Sequence, residues 1–111
     1  MKRIVFLLIV MIVAGQNLTA QSPAKQLAGR IAQKMKDTLG LTEIQKDSLY
    51  VINMQIGDHK ADARRQYTAP DLLRTTIQQV ENTRDSLYRR VLTEQQYALY
   101  RQKKRNLVNN N

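Results

Sequence analysis

The chain has no cysteine, so no disulfide staples it and no thiol follows its apolar start as a site of lipid attachment. Whatever folds must hold by packing alone. It has one histidine, His59. With only Asp58 and Asp62 beside it on the same helical turn, this is a poor zinc set, because zinc sites take several His or Cys ligands. No metal and no cofactor is expected. Tryptophan is missing and the single phenylalanine is Phe6, which leaves Tyr50, Tyr67, Tyr88, Tyr97 and Tyr100 as the other aromatics. These read as boundary residues, rings turned to a core and hydroxyls to water. Catalysis lacks its parts. Ser48 and Ser86 follow Asp47 and Asp85, but adjacent helical residues point apart, and no nucleophile with a base or pair of carboxylates in contrasting environments stands out. An enzyme is not expected.

Acidic residues are scarce: nine of them face 18 Lys and Arg, for a formal charge of +9. The only long apolar run spans residues 4–14, too short to cross a bilayer, which takes ~20 apolar residues. Lys2 and Arg3 precede it, Gly15 breaks it, and Leu18-Thr19-Ala20 offers a cleavage site before Gln21. That order predicts a cleavable export signal over residues 1–20 rather than a retained anchor. Without Lys2 and Arg3, 16 basic residues remain against nine acidic ones, a charge of +7. Such an excess favours anionic partners, and export makes nucleic acid the least suitable of them, so none is expected.

What is present is helical periodicity. Ser22-Pro23 gives an N-cap and first-turn proline, and Leu27, Ile31, Met35 and Leu39 follow every four residues, ended by Gly40. A second helix is predicted from residue 43 to about 67 along Leu49, Ile52 and Ile56. Its far half offers only His59, Ala63 and Tyr67 as core, and Gly57 predicts a bend or local looseness. After a turn at Thr68-Ala69, Pro70 and Asp71 restart a third helix to about Val91. Its stripe reads Leu73, Ile77, Val80, Arg84, Leu87 and Val91. The short connection makes helices two and three an antiparallel hairpin ~33 Å long at 1.5 Å per residue. It pairs Ala63 with Ile77, Ile52 with Leu87 and Leu49 with Val91. A fourth, basic helix begins at Thr93, and residues 109–111 read as a disordered tail. Residues 21–108 thus form one domain.

Two helix starts carry the same word, Leu41-Thr42-Glu43-Ile44-Gln45 and Leu92-Thr93-Glu94-Gln95-Gln96. In each, Thr at the N-cap and Gln three residues later can satisfy each other's orphan N–H groups, and the preceding Leu can staple the entering chain. Asp47-Ser48-Leu49-Tyr50 and Asp85-Ser86-Leu87-Tyr88 repeat as well. The residues Leu41, Thr42, Gln45, Leu92, Thr93 and Gln96, with the export signal ahead of them, resemble the LTxxQ-motif family of exported proteins of Gram-negative bacteria, the Spy/CpxP-like family. The resemblance implies an all-α, four-helix fold dominated by a long bent antiparallel hairpin, assembled as an antiparallel dimer with a basic concave surface. It also implies a periplasmic role in envelope stress. Members act as chaperones without ATP or restrain a stress-sensor kinase; others bind zinc, a branch the lone His59 disfavours.

Charge placement adds a candidate surface. Asp71 with Arg74, Glu81 with Arg84 and Asp85 with Arg89 have helical pairing distances. Arg64, Arg65, Arg90, Arg101, Lys103, Lys104 and Arg105 have no comparably evident partner. Arg84 sits inside the apolar stripe, where a charge must snorkel or find a partner. Arg64, Arg65, Arg84, Arg90, Arg101 and Lys104 are therefore the candidate client-binding basic surface. The expected activity is binding of unfolded or misfolded protein segments by a homodimer. An inhibitory ligand of one membrane stress sensor is the alternative. A basic protein resting on anionic membrane is a less favoured third reading, drawn from the fourth helix.

Overall fold

A computed structural model describes residues 22–108. The expected export signal with its cleavage point after Ala20, and the expected tail at 109–111, lie outside the described residues. Within them the fold is all-α, with four helices and no strand: α1 (Pro23–Leu39), α2 (Glu43–Gln66), α3 (Pro70–Val91) and α4 (Glu94–Leu107).

The helix ends follow from local chemistry. The Ser22 hydroxyl caps α1 by accepting from the Lys25 N–H, and Pro23 takes the first turn, where a missing N–H costs nothing. Gly40 closes α1 in the left-handed region, φ 68° and ψ 49°. Only glycine enters that region without a Cβ penalty, so the sharp reversal into α2 depends on it. Pro70 opens α3 after Ala69, which has no capping side chain. Gly57 does not interrupt α2, which runs as one helix of 24 residues, ~36 Å long. The helix continues through Gly57, a residue that lacks only a side chain, so the expected bend or looseness does not take the form of a break.

Packing joins the helices in a ring: α1 lies on α2 and α4, and α3 on α2 and α4. α4 returns along α1, with Gln96 beside Gly40 at one end and Lys34 Nζ donating to the Asn106 carbonyl (2.6 Å) at the other. The core combines Ile31, Met35 and Leu39 of α1 with Leu49, Ile52 and Ile56 of α2, Val80 and Tyr88 of α3, and Tyr100 and Leu107 of α4. Each fully buried aliphatic side chain here contributes ~1.5–3 kcal/mol. The stripe of α3 departs from the expected one. Val80, Arg84 and Tyr88 are its buried residues, while Leu87 and Val91 are only partly covered. A spacing of four throughout carries the buried line from the leucine to the tyrosine.

Asn53 of α2 bonds to Ala28 of α1, so the start of α1 falls near Gly57. Beyond that height α2 continues to Gln66 and turns into α3, making a two-helix arm. Ala63 is buried within the arm, but Tyr67, Leu73 and Ile77 are only half-covered and Leu72 is 57% exposed.

Candidate functional site

The two repeated words meet each other. The Thr42 hydroxyl accepts from the Gln45 N–H (3.1 Å) while Gln45 Oε1 accepts from the Thr42 N–H (3.0 Å), and Thr93 with Gln96 repeats both bonds at the same lengths. Leu41 and Leu92 are buried beside them. The amide groups of the glutamines then cross between corners. Gln45 Nε2 donates to the Val91 carbonyl (3.1 Å) and to Gln96 Oε1 (2.8 Å), and Gln96 Nε2 donates to the Gly40 carbonyl (3.3 Å). Gly40 and Val91 each stand immediately before the leucine of their own word. The arrangement is thus a reciprocal clasp in which each motif caps its own helix and ties down the end of the other hairpin. At its rim Glu43 bridges Lys36 and Lys46; the Lys36 ammonium holds the Glu43 carboxyl below its usual range and is itself raised by it.

A second polar cluster lies inside the bundle. Asn53 donates from Nδ2 to the Ala28 carbonyl (3.1 Å) and accepts the Tyr88 hydroxyl at Oδ1. The Tyr88 and Tyr100 rings meet edge to face at 5.0 Å, and the Tyr100 hydroxyl donates to Asp85 Oδ1 (2.7 Å). Asp85 Oδ2 receives Arg101 (2.9 Å) and Lys104 (2.7 Å). This chain of contacts reaches all four helices. Burial pushes both hydroxyls well above the ordinary tyrosine value, and at Tyr100 the adjacent Asp85 carboxylate adds to the effect. Tyr88 and Tyr100 are therefore core residues, not the boundary residues expected of them.

Beside this cluster, where α1 begins and α4 ends, is a cavity of about 240 Å³. Leu27, Ile31, Met54 and Val108 supply apolar wall, and Gly57 and Ala61 leave the α2 side low. Lys60, Arg64 and Arg84 supply charge. The Arg84 side chain is only 5% exposed. Its Nη1 donates to both Glu81 oxygens (2.7 and 2.8 Å), and Lys60 reaches the same carboxylate at 2.5 Å. Among the described residues Arg84 Nε is buried and has no hydrogen-bond partner.

The candidate basic residues thus have different situations. Arg64 and Arg84 come together at the cavity, Arg84 buried and paired rather than free on a surface. Arg65 pairs with Asp62 on its own helix. Arg101 and Lys104 are held by Asp85, which belongs to another helix, 16 and 19 residues away in sequence. Spacing within one helix could not reveal that pairing. Asp85 serves these groups instead of Arg89, whose guanidinium lies 5.2 Å over the Tyr97 ring. Arg90 is exposed at the end of α3. Lys60 and Asn53 gave no clear sequence signal, and Asp85 signalled only a pairing with Arg89 and its place in the repeated Asp-Ser-Leu-Tyr word. Its two copies are not equivalent: Leu49 faces the core in one, Tyr88 in the other.

Among the described residues no three His, Asp or Glu side chains converge on a possible metal position, and no helix is long and apolar enough to cross a membrane. Set against family models, curated proteins and solved structures, the chain matches none.

Proposed function

We propose that the protein is an exported, ATP-independent binder of non-native protein segments, of the LTxxQ type, working in the periplasm under envelope stress. The observation that carries this reading is the α2/α3 arm. It extends past the four-helix ring with Leu72 exposed and Tyr67, Leu73 and Ile77 half-covered. Arg64, exposed on the same arm, adds positive charge. Charge raises the rate of encounter with acidic segments, and shallow apolar contact retains them without burying them irreversibly. No chemical step is involved.

Removal of residues 1–20 at export and pairing of two copies, so that one arm shelters part of another, complete the proposal. Sedimentation equilibrium of the purified protein tests the pairing, and a single-copy mass at all concentrations would remove it. The membrane reading gains nothing from α4, whose Tyr100 and Leu107 are buried in the bundle and leave no broad apolar face to lie on lipid.

The test is suppression of aggregation of two unrelated denatured proteins, one acidic and one basic, without nucleotide. Protection of both near equimolar ratio supports general capture. Protection of neither contradicts it and favours a ligand dedicated to one envelope sensor.

A further inference from the structure

We propose that the basic end of α4 is a docking site for linear inorganic polyphosphate. This goes beyond segment capture on the α2/α3 arm and does not depend on it. Residues 101–105 read Arg-Gln-Lys-Lys-Arg, and the side chains of Arg101 to Asn106 frame one shallow, open recess on the bundle. Lys34 of α1 joins them, its Nζ donating to the Asn106 carbonyl at 2.6 Å. Among the described residues Lys34, Lys103 and Arg105 form no ion pair, and Arg101 and Lys104 share one. The acid of α4 itself, Glu94, stands at the opposite end of the helix.

The fold concentrates this charge. Asp85 Oδ2 accepts from Arg101 Nη1 at 2.9 Å and from Lys104 Nζ at 2.7 Å, while Oδ1 takes the Tyr100 hydroxyl. Two cations that would repel each other are thereby fixed side by side around a single negative charge, and one positive charge is left over. Arg101 is tied through Nη1 alone and its side chain is 54% exposed, so it can still turn guanidinium N–H groups to phosphate oxygens. Lys103 and Arg105 are exposed beside it. A closely charged polyanion meets several of these cations at once, and its bound counterions are released. The surroundings select which polyanion. Tyr100 is buried and the Tyr97 ring is covered by the Arg89 guanidinium, which leaves no open aromatic face on which nucleic acid bases could stack. From Arg101 to Asn106 every exposed side chain is polar, so nothing enters a lipid layer or holds the apolar side chains of a protein. What remains is recognition of phosphate by charge and guanidinium geometry, which a chain of bare phosphates meets in full.

The test separates a placed site from net charge. End-labelled polyphosphate is titrated with the purified protein and followed by fluorescence anisotropy, with a single-stranded oligonucleotide and polyglutamate of matched charge as competitors and phosphatidylglycerol vesicles in a flotation assay. Saturable polyphosphate binding is expected, at least tenfold tighter than either competitor, with no flotation at physiological salt. Lys103→Gln with Arg105→Gln, two exposed positions on α4, should weaken it at least tenfold. Lys25→Gln with Arg74→Gln removes the same charge from exposed positions elsewhere and should stay within twofold of the parent. At about 0.7 counterions per contact, the α4 pair should also lower the slope of log affinity against log salt by about 1.4, and the control pair should leave it unchanged. The proposal is overturned if polyphosphate does not bind saturably, if both pairs lose affinity equally, if oligonucleotide or polyglutamate binds as tightly, or if the protein floats with the vesicles. Neither pair touches Arg64 or Leu72 of the arm, so protection of denatured clients succeeds or fails separately.

Discussion

Replacing Gln45 with Ala should cost the protein more than an ordinary surface change, because one side chain closes bonds in two corners. Gln45 Oε1 accepts from the Thr42 N–H, and its Nε2 donates to the Val91 carbonyl and to Gln96. At ~0.5–1.5 kcal/mol net per hydrogen bond, discounted for the solvent-facing cap, the loss is ~2 kcal/mol. For a domain of this size that lowers Tm by ~8–16 °C. Gln96→Ala should behave alike, since it loses its own cap, the Gly40 carbonyl and the shared contact. The two losses should not add. Each single variant already removes the bond between the glutamines, so the double variant should cost ~1 kcal/mol less than the sum. Urea denaturation of all four proteins measures this, with the exposed neighbour Gln95→Ala as a control expected within ~0.5 kcal/mol of the parent. Coupling below ~0.3 kcal/mol would refute the clasp and leave two independent helix caps.

Other expectations concern the interior. Glu81→Ala leaves Arg84 and Lys60 without their shared carboxylate and should cost ~3–5 kcal/mol, read as a lower urea midpoint. Adding Arg84→Met should recover most of it. The two glycines should respond oppositely to alanine. Gly40, at φ 68°, should lose ~1–2 kcal/mol. Gly57, mid-helix with open space at its Cβ, should gain ~1 kcal/mol. Tyr88 and Tyr100 keep their protons in the folded state above the ordinary tyrosine value. Their contribution is therefore complete below about pH 10 and falls as pH rises past it, by ~1.4 kcal/mol per pH unit for each. Tyrosinate absorbance followed with circular dichroism should show these two hydroxyls ionising only as the helices melt, and ionisation within an intact fold would contradict their burial.

What was legible in the sequence is what local chemistry decides. Ser22, Thr42, Thr93 and Gly40 mark helix ends by bonds made within a few residues of themselves, Pro23 and Pro70 by their fixed φ and missing N–H, and the observed ends fall there. The apolar spacing of α1 likewise gave its buried face. In α3 the apolar spacing favours Leu87 over Tyr88, and only the Asn53 side chain and the Tyr100 ring make the tyrosine the better core residue. The grip of Asp85 on Arg101 and Lys104 was hidden for the same reason. It depends on how α3 and α4 cross, which no spacing along one helix records. The cavity was unreadable beforehand, being the space left where α1 starts and α4 stops, and Arg84 was recognisable only as a charge in an apolar stripe.

Capture of protein segments by the α2/α3 arm is tested most directly at its exposed side chains. Leu72→Ser with Arg64→Gln alters two exposed arm positions and should leave Tm within ~2–4 °C of the parent. The measurement is protection of a denatured acidic client by this variant and by the parent. Severalfold weaker protection at equal stability is expected of an arm that captures segments; undiminished protection would place capture elsewhere.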